Sequence, residues 1–183
     1  MKQKFVYIIL FLFSSVSYSQ EQGSFSIQSV NTELNDGVLI LDANIDLNLT
    51  DRAIDAIYSG INLSFYVDIE MNRYRRFWFN ESIATLRQEY DLAYNEITER
   101  FTVINLNSTE VSTFASLESA LNFLGRISRL PILDASLIDQ STNHFIELRS
   151  GMVIDSDSRF DRIINFLRRD ENIESDWFEW QVN

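Results

Sequence analysis

Three arginines and four aromatic rings share seven consecutive positions, Arg73-Tyr74-Arg75-Arg76-Phe77-Trp78-Phe79. Guanidinium groups bind carboxylate and phosphate bidentately and stack on rings. Arginine and large aromatics are also over-represented where protein–protein contacts carry most of their energy. Read as a strand, the stretch places Arg73, Arg75, Phe77 and Phe79 on one side and Tyr74, Arg76 and Trp78 on the other. Each side then mixes charge with ring, unlike a strand with one core face and one wet face. Arg73, Tyr74, Arg75, Arg76 and Trp78 are therefore the candidate partner-binding residues. The plainer alternative is a hairpin arm whose rings face the core and whose arginines pair with local acids.

Catalytic chemistry finds less to work with. The one histidine, His144, falls near the start of an expected strand. A Ser-His-Asp triad needs an orienting carboxylate and a nucleophile beside it, and nothing in the sequence brings them there, so a strand-end histidine at the surface is expected. No nucleophile elbow, phosphate-binding loop or dinucleotide fingerprint occurs. Asp68 with Glu70, and Glu89 with Asp91, are same-face carboxylate pairs of the kind that cleave glycosidic bonds when they converge in a cleft. Asp155, Asp157 and Asp161 form a short acidic cluster. A calcium loop would want a ligand where Arg159 stands and a glycine where Phe160 stands, so a capped turn describes the cluster better. The absence of cysteine closes thiol catalysis, cysteine-type zinc sites and disulfides. No catalytic residue, metal ligand or cofactor is assigned.

The elements that must position these residues follow from periodicity. Residues 25–34 read as a strand, and Asn35-Asp36-Gly37 as a hairpin turn. Leu39, Leu41, Ala43, Ile45, Leu47 and Leu49 alternate with Asp42, Asn44, Asp46 and Asn48, the period of a half-buried strand. Thr50 suits the N-cap of a helix from Asp51 to Ser59, stopped by Gly60. Ile61, Leu63, Phe65, Val67, Ile69 and Met71 form one face of the next strand. Strands are then expected over 82–94, with Ala84, Leu86, Tyr90, Leu92 and Tyr94 inward, and over 100–106 and 111–114. Ser116 caps a helix over 117–124 that Gly125 closes, and the chain near Pro131 reads as extended or looped. A strand over 143–154, with Ile146, Leu148, Met152 and Ile154 among its inward candidates, a helix over 158–169 and an aromatic strand over 177–182 complete the chain. The fold class is mainly β (α+β), an antiparallel β-sandwich-like domain with two or three short helices.

The start of the chain bears on compartment. Lys2 and Lys4 precede an apolar run from Phe5 to Phe13, then small residues, with Ser17 and Ser19 at the −3 and −1 positions of a cleavage site. This is the order of a secretory signal over 1–19, and the run is about half the roughly 20 residues that span a bilayer. An uncleaved anchor is the alternative. Cleavage would remove both lysines and move the formal charge from −12 to −14. Such a surface repels phosphate backbones, so nucleic acid is not an expected partner. Residues 20–183 are then one periplasmic domain, long enough to bury about 70% of its unfolded surface without staples.

The order of motifs resembles the DUF4390 family of uncharacterised bacterial exported proteins. The resemblance runs through Leu34-Asn35-Asp36-Gly37-Val38-Leu39, the Arg75-Arg76-Phe77-Trp78 run, Leu86-Arg87-Gln88-Glu89-Tyr90 and Phe101 to Asn107. It continues through Phe114 to Leu121 and the tail Asp176-Trp177-Phe178-Glu179-Trp180. The chain departs at Trp180-Gln181, where similar proteins tend to have Trp-Pro. The resemblance implies a Gram-negative envelope protein with an all-β or α+β domain, and no assigned activity. Similar proteins are often encoded beside a membrane sensor kinase, which implies a link to envelope sensing. The expected function is a non-enzymatic module that binds another envelope protein, with no stable membrane insertion after signal cleavage. A small-ligand binder or carboxylate-dependent hydrolase is the alternative.

Overall fold

The computed structural model describes residues 23–139, 141–154 and 173–182. The expected signal segment 1–19, the acidic cluster Asp155, Asp157 and Asp161, the helix over 158–169 and the side chain of Ile154 lie outside them. Strand β1 (Ser24–Asn35) turns through Asp36 and Gly37 into β2 (Val38–Asn48). Both turn residues have positive φ, 49° and 80°, the left-handed pair that matches the twist of a two-residue hairpin. In β2 the alternating set Leu39, Leu41, Ala43, Ile45 and Leu47 is buried. In β1 a bulge between Ile27 and Ser29 shifts the inward phase by one residue, so that Phe25 and then Val30 reach the core.

Helix α1 (Asp51–Tyr58) starts where Thr50 Oγ1 accepts from the Ala53 N–H at 3.1 Å. Beyond its C-cap Ser59 the chain turns away at Gly60, whose φ of 81° few other residues adopt. Its buried face is Ala53, Ala56 and Ile57. Strand β3 (Leu63–Arg73) buries Leu63, Phe65, Val67, Ile69 and Met71, and pairs along its length with β4 (Glu81–Asn95). Strand β5 (Arg100–Asn105) and the short β6 (Val111–Phe114) follow as successive antiparallel neighbours. Tyr58 of α1 meets Tyr94 and Phe101 edge-on, at 4.9 and 5.6 Å between ring centres. That cluster fixes α1 against β4 and β5. Helix α2 (Leu117–Leu124), capped by Ser116, buries Ala120 and Leu124.

The stretch around Pro131 is a strand, β7 (Arg126–Asp134), on the free side of β2. It is followed by β8 (His144–Ile154), the two-residue β9 (Ile173–Glu174) and β10 (Phe178–Val182). Ile146, Leu148 and Met152 of β8 are buried. The strands form two sheets, β1-β2-β7 and a seven-stranded sheet ordered β10-β8-β3-β4-β5-β6 with β9 beside β8. Every pairing is antiparallel. One core cluster draws on both sheets and both helices. Phe25 of the small sheet stacks on Phe65 of the large one at 6.0 Å. The architecture is the mainly-β, α+β sandwich that the alternation implies, with two α-helices among the described residues.

Candidate interaction surface

β3 stops at Arg73, which lies directly opposite Glu81, the first residue of β4. The hairpin therefore closes at that pair, and residues 74–80 form a loop. The alternating two-sided strand expected through Phe79 is not formed, because this closure leaves Tyr74 to Asn80 without a partner on β4. The side chains instead project outward. Tyr74 is 57% exposed, Phe77 84%, Trp78 79% and Phe79 96%. Free rings at this density are unusual, since folding normally hides large aromatics.

Glu81 organises the arginines at the base. It pairs with Arg73 at 3.0 Å and also with Arg75. Arg76 lies over the Phe77 ring at 5.6 Å and has no carboxylate partner among the described residues. Arg73 is half-buried, and its Nε has no hydrogen-bond partner. The Tyr74 N–H donates to the Asn143 carbonyl at 2.9 Å, tying the loop to the approach of β8. A cavity of about 290 Å³ opens there between Tyr74, Asn80, Asn143, Phe145, Glu179 and Gln181. The local pairing of Arg73 and Arg75 matches the plainer alternative; the outward rings do not.

The carboxylates of the outer sheet face are arranged differently from an acid–base pair. Asp68 accepts from Arg87 Nε at 2.6 Å and from Arg149 Nη2 at 2.9 Å. Burial pushes its carboxyl up, but the two guanidiniums outweigh that and hold it below the ordinary range. The hollow over β3 and β4 thus holds Asp68 and Glu70 together with Arg87. Asp91 accepts from Ser64 at 2.7 Å. Tyr66 reaches across Gly151 and donates to Glu174 at 2.5 Å, with Arg87 over its ring at 4.4 Å. Burial, then the Glu174 contact, push the Tyr66 phenol up to about 12. Arg149 joins the same network through Glu174 at 2.6 Å and lies over Trp177 at 4.6 Å. Sequence reading missed this network because its members come from four strands and meet only through register.

His144 is buried, 4% exposed, which corrects its expected place at the surface. It heads β8 between Arg73 of β3 and Val182 of β10, so neighbouring strands cover it on both sides. Its Nε2 lies 3.4 Å from Thr142 Oγ1. Among the described residues no group of three or more His, Cys, Asp or Glu is placed to hold a metal ion. No helix among them is long and apolar enough to cross a membrane.

The class defined here is a two-sheet antiparallel α+β domain with an aromatic loop at the β3–β4 turn. The chain belongs to the family described as Domain of unknown function (DUF4390), whose model matches residues 22–181. No curated protein and no solved structure matches it.

Proposed function

We propose that this chain is an exported, non-enzymatic interaction module of the cell envelope that docks on another envelope protein through the 73–79 loop. The observation that carries the reading is the exposure of Phe77, Trp78 and Phe79 in one turn of the chain. Burying each ring is worth about 1.5–3 kcal/mol, so the three that this fold leaves in water would gain from burial against a partner. The arginine content sets the chemistry of the partner. Arg76 and the outer edge of Arg75 offer guanidinium donors beside the rings, which suits an acidic, ring-accepting pocket. The Lys2–Ser19 segment supports export.

The test is a crosslinking pull-down from envelope fractions, comparing wild type with an Arg75→Ala, Arg76→Ala, Trp78→Ala variant matched in thermal stability. One partner recovered by wild type and lost by the variant is the expected result. Equal recovery by both would remove the loop from the reading. The mass of the protein isolated from the periplasm tests export separately, with a start at Gln20 expected.

A further inference from the structure

The two sheets have five edge strands among the described residues, β1 and β7 on the small sheet and β10, β6 and the two-residue β9 on the large one, β9 being too short to template another strand. Open edges pair with foreign strands unless bulges, proline, charge or cover prevent it. β1 is broken by its bulge at Ile27/Ser29. β7 carries Pro131, two register shifts and Arg129 at a φ of 51°. β10 leans on β1 through Trp180 Nε1, which donates to Thr32 Oγ1 at 3.3 Å, and carries the charge of Glu179. β6, Val111-Ser112-Thr113-Phe114, has no charge, no proline and no bulge along its four pairs with β5.

The phase of that pairing is fixed. The Asn105 N–H donates to the Glu110 carbonyl at 2.9 Å, so the opposed pair 105/110 is hydrogen-bonded. Bonded and non-bonded pairs alternate along an antiparallel ladder. Ser112 and Phe114 therefore bond to β5, and the N–H and C=O groups of Val111 and Thr113 point away from it. Their side chains share the outer sheet face, where Val111 is 59% exposed and Thr113 is exposed. Val111 stands beside Ile104 on the outer sheet face, which an added strand would extend.

We propose that the outer edge of β6 accepts an extended peptide strand with basic flanks from another protein, continuing the large sheet by one strand. Charge selects the occupant. Glu110 precedes β6, Glu118 stands in the first turn of α2, and the whole chain is strongly acidic. Antiparallel pairing with a second copy would bring the Glu110 end of each β6 against the Glu118 end of the other, which like-charge repulsion disfavours. This surface is separate from the 73–79 loop and does not depend on it.

The experiment uses the purified chain and a fluorescent probe peptide, Lys-Val-Thr-Val-Thr-Val-Lys, with a Glu-flanked peptide as its counterpart. In the free protein the Val111 and Thr113 amides should exchange with deuterium at least tenfold faster than those of Ser112 and Phe114. The basic probe should bind saturably and slow both. Thr113→Pro removes an outward N–H without removing a ladder bond, and should weaken binding at least tenfold. Val111→Glu should do the same by charge, while Trp78→Ala should leave binding unchanged. The Glu-flanked probe should bind at least tenfold more weakly. Equal exchange at all four amides, no saturable binding, or full binding by both folded variants would overturn the proposal. Dimerisation of wild type that Thr113→Pro abolishes would overturn the choice of occupant.

Discussion

Glu147 stands directly between Glu70 of β3 and Glu179 of β10, one carboxylate from each of three neighbouring strands in a single row. Burial first, then those two neighbours, push its carboxyl above the ordinary range, against the Asn72 hydrogen bond at 2.7 Å. A carboxyl raised by folding contributes stability that is full below its unfolded value, near 4.5, and is lost as pH rises through the folded value. Glu147→Gln keeps the acceptor for Asn72 and removes the charge. It should raise stability at pH 7 by roughly 0.2–1 kcal/mol, the scale of one like-charge cross-strand contact. The gain should vanish below pH 4.5, as read from urea midpoints at both pH values. Asp68 has the opposite sign. Its lowered carboxyl supports the fold above the unfolded value and loses that support as pH falls through the folded one. Separated from β3 by four intervening strands in sequence but adjacent to it in the sheet, Gly151 shows a steric version of the same dependence on register. A Cβ there would collide with the Tyr66 ring, so Gly151→Ala should cost about 1–3 kcal/mol. With Tyr66→Ala already present the cost should largely disappear, which a four-variant denaturation cycle measures.

At the level of elements, legibility followed burial on one face. β2 and β3 announce themselves because every second residue enters the core, and α1 and α2 because Thr50 and Ser116 cap them as their positions suggest. Thr50→Ala should therefore cost about 1 kcal/mol, a fall in Tm of about 2–4 °C for a domain of this size. β7 was not legible as a strand: an edge strand with Pro131 and two register shifts has no period to read. β9 is two residues long, below any periodic signal. The 73–79 loop is not legible for another reason. Local alternation cannot say where a hairpin closes, and the Arg73–Glu81 pair, which sets that point, is a contact across eight residues. The strand-end position of His144 does not leave it exposed, because β8 is flanked there by both β3 and β10.

The molecule as a whole is governed by how strands are shared between sheets and by an excess of negative charge. Neither the division into two sheets nor the order of the large one is encoded in any local stretch. β8 returns beside β3 after more than seventy residues, and only the finished core in which Phe25 meets Phe65 explains it. Charge, by contrast, is fully legible in the composition, at −12 for the whole chain. It sets two effects against each other. Salt weakens the ion pairs of Arg87, Asp68, Arg149 and Glu174, most of them partly exposed and each worth about 0–1 kcal/mol. Salt also relieves repulsion among carboxylates over the whole surface, as the screening length falls from about 30 Å at 0.01 M to about 8 Å at 0.15 M. Repulsion among so many like charges acts over the longer range and gains more from screening. Tm should therefore rise over that interval, followed by calorimetry at pH 7. In Asp68→Asn, which removes the centre of the ion-pair network and only one negative charge, the rise should be steeper. A fall in wild type that Asp68→Asn reverses would show that the cross-strand ion pairs, rather than the net charge, set the salt response of this fold.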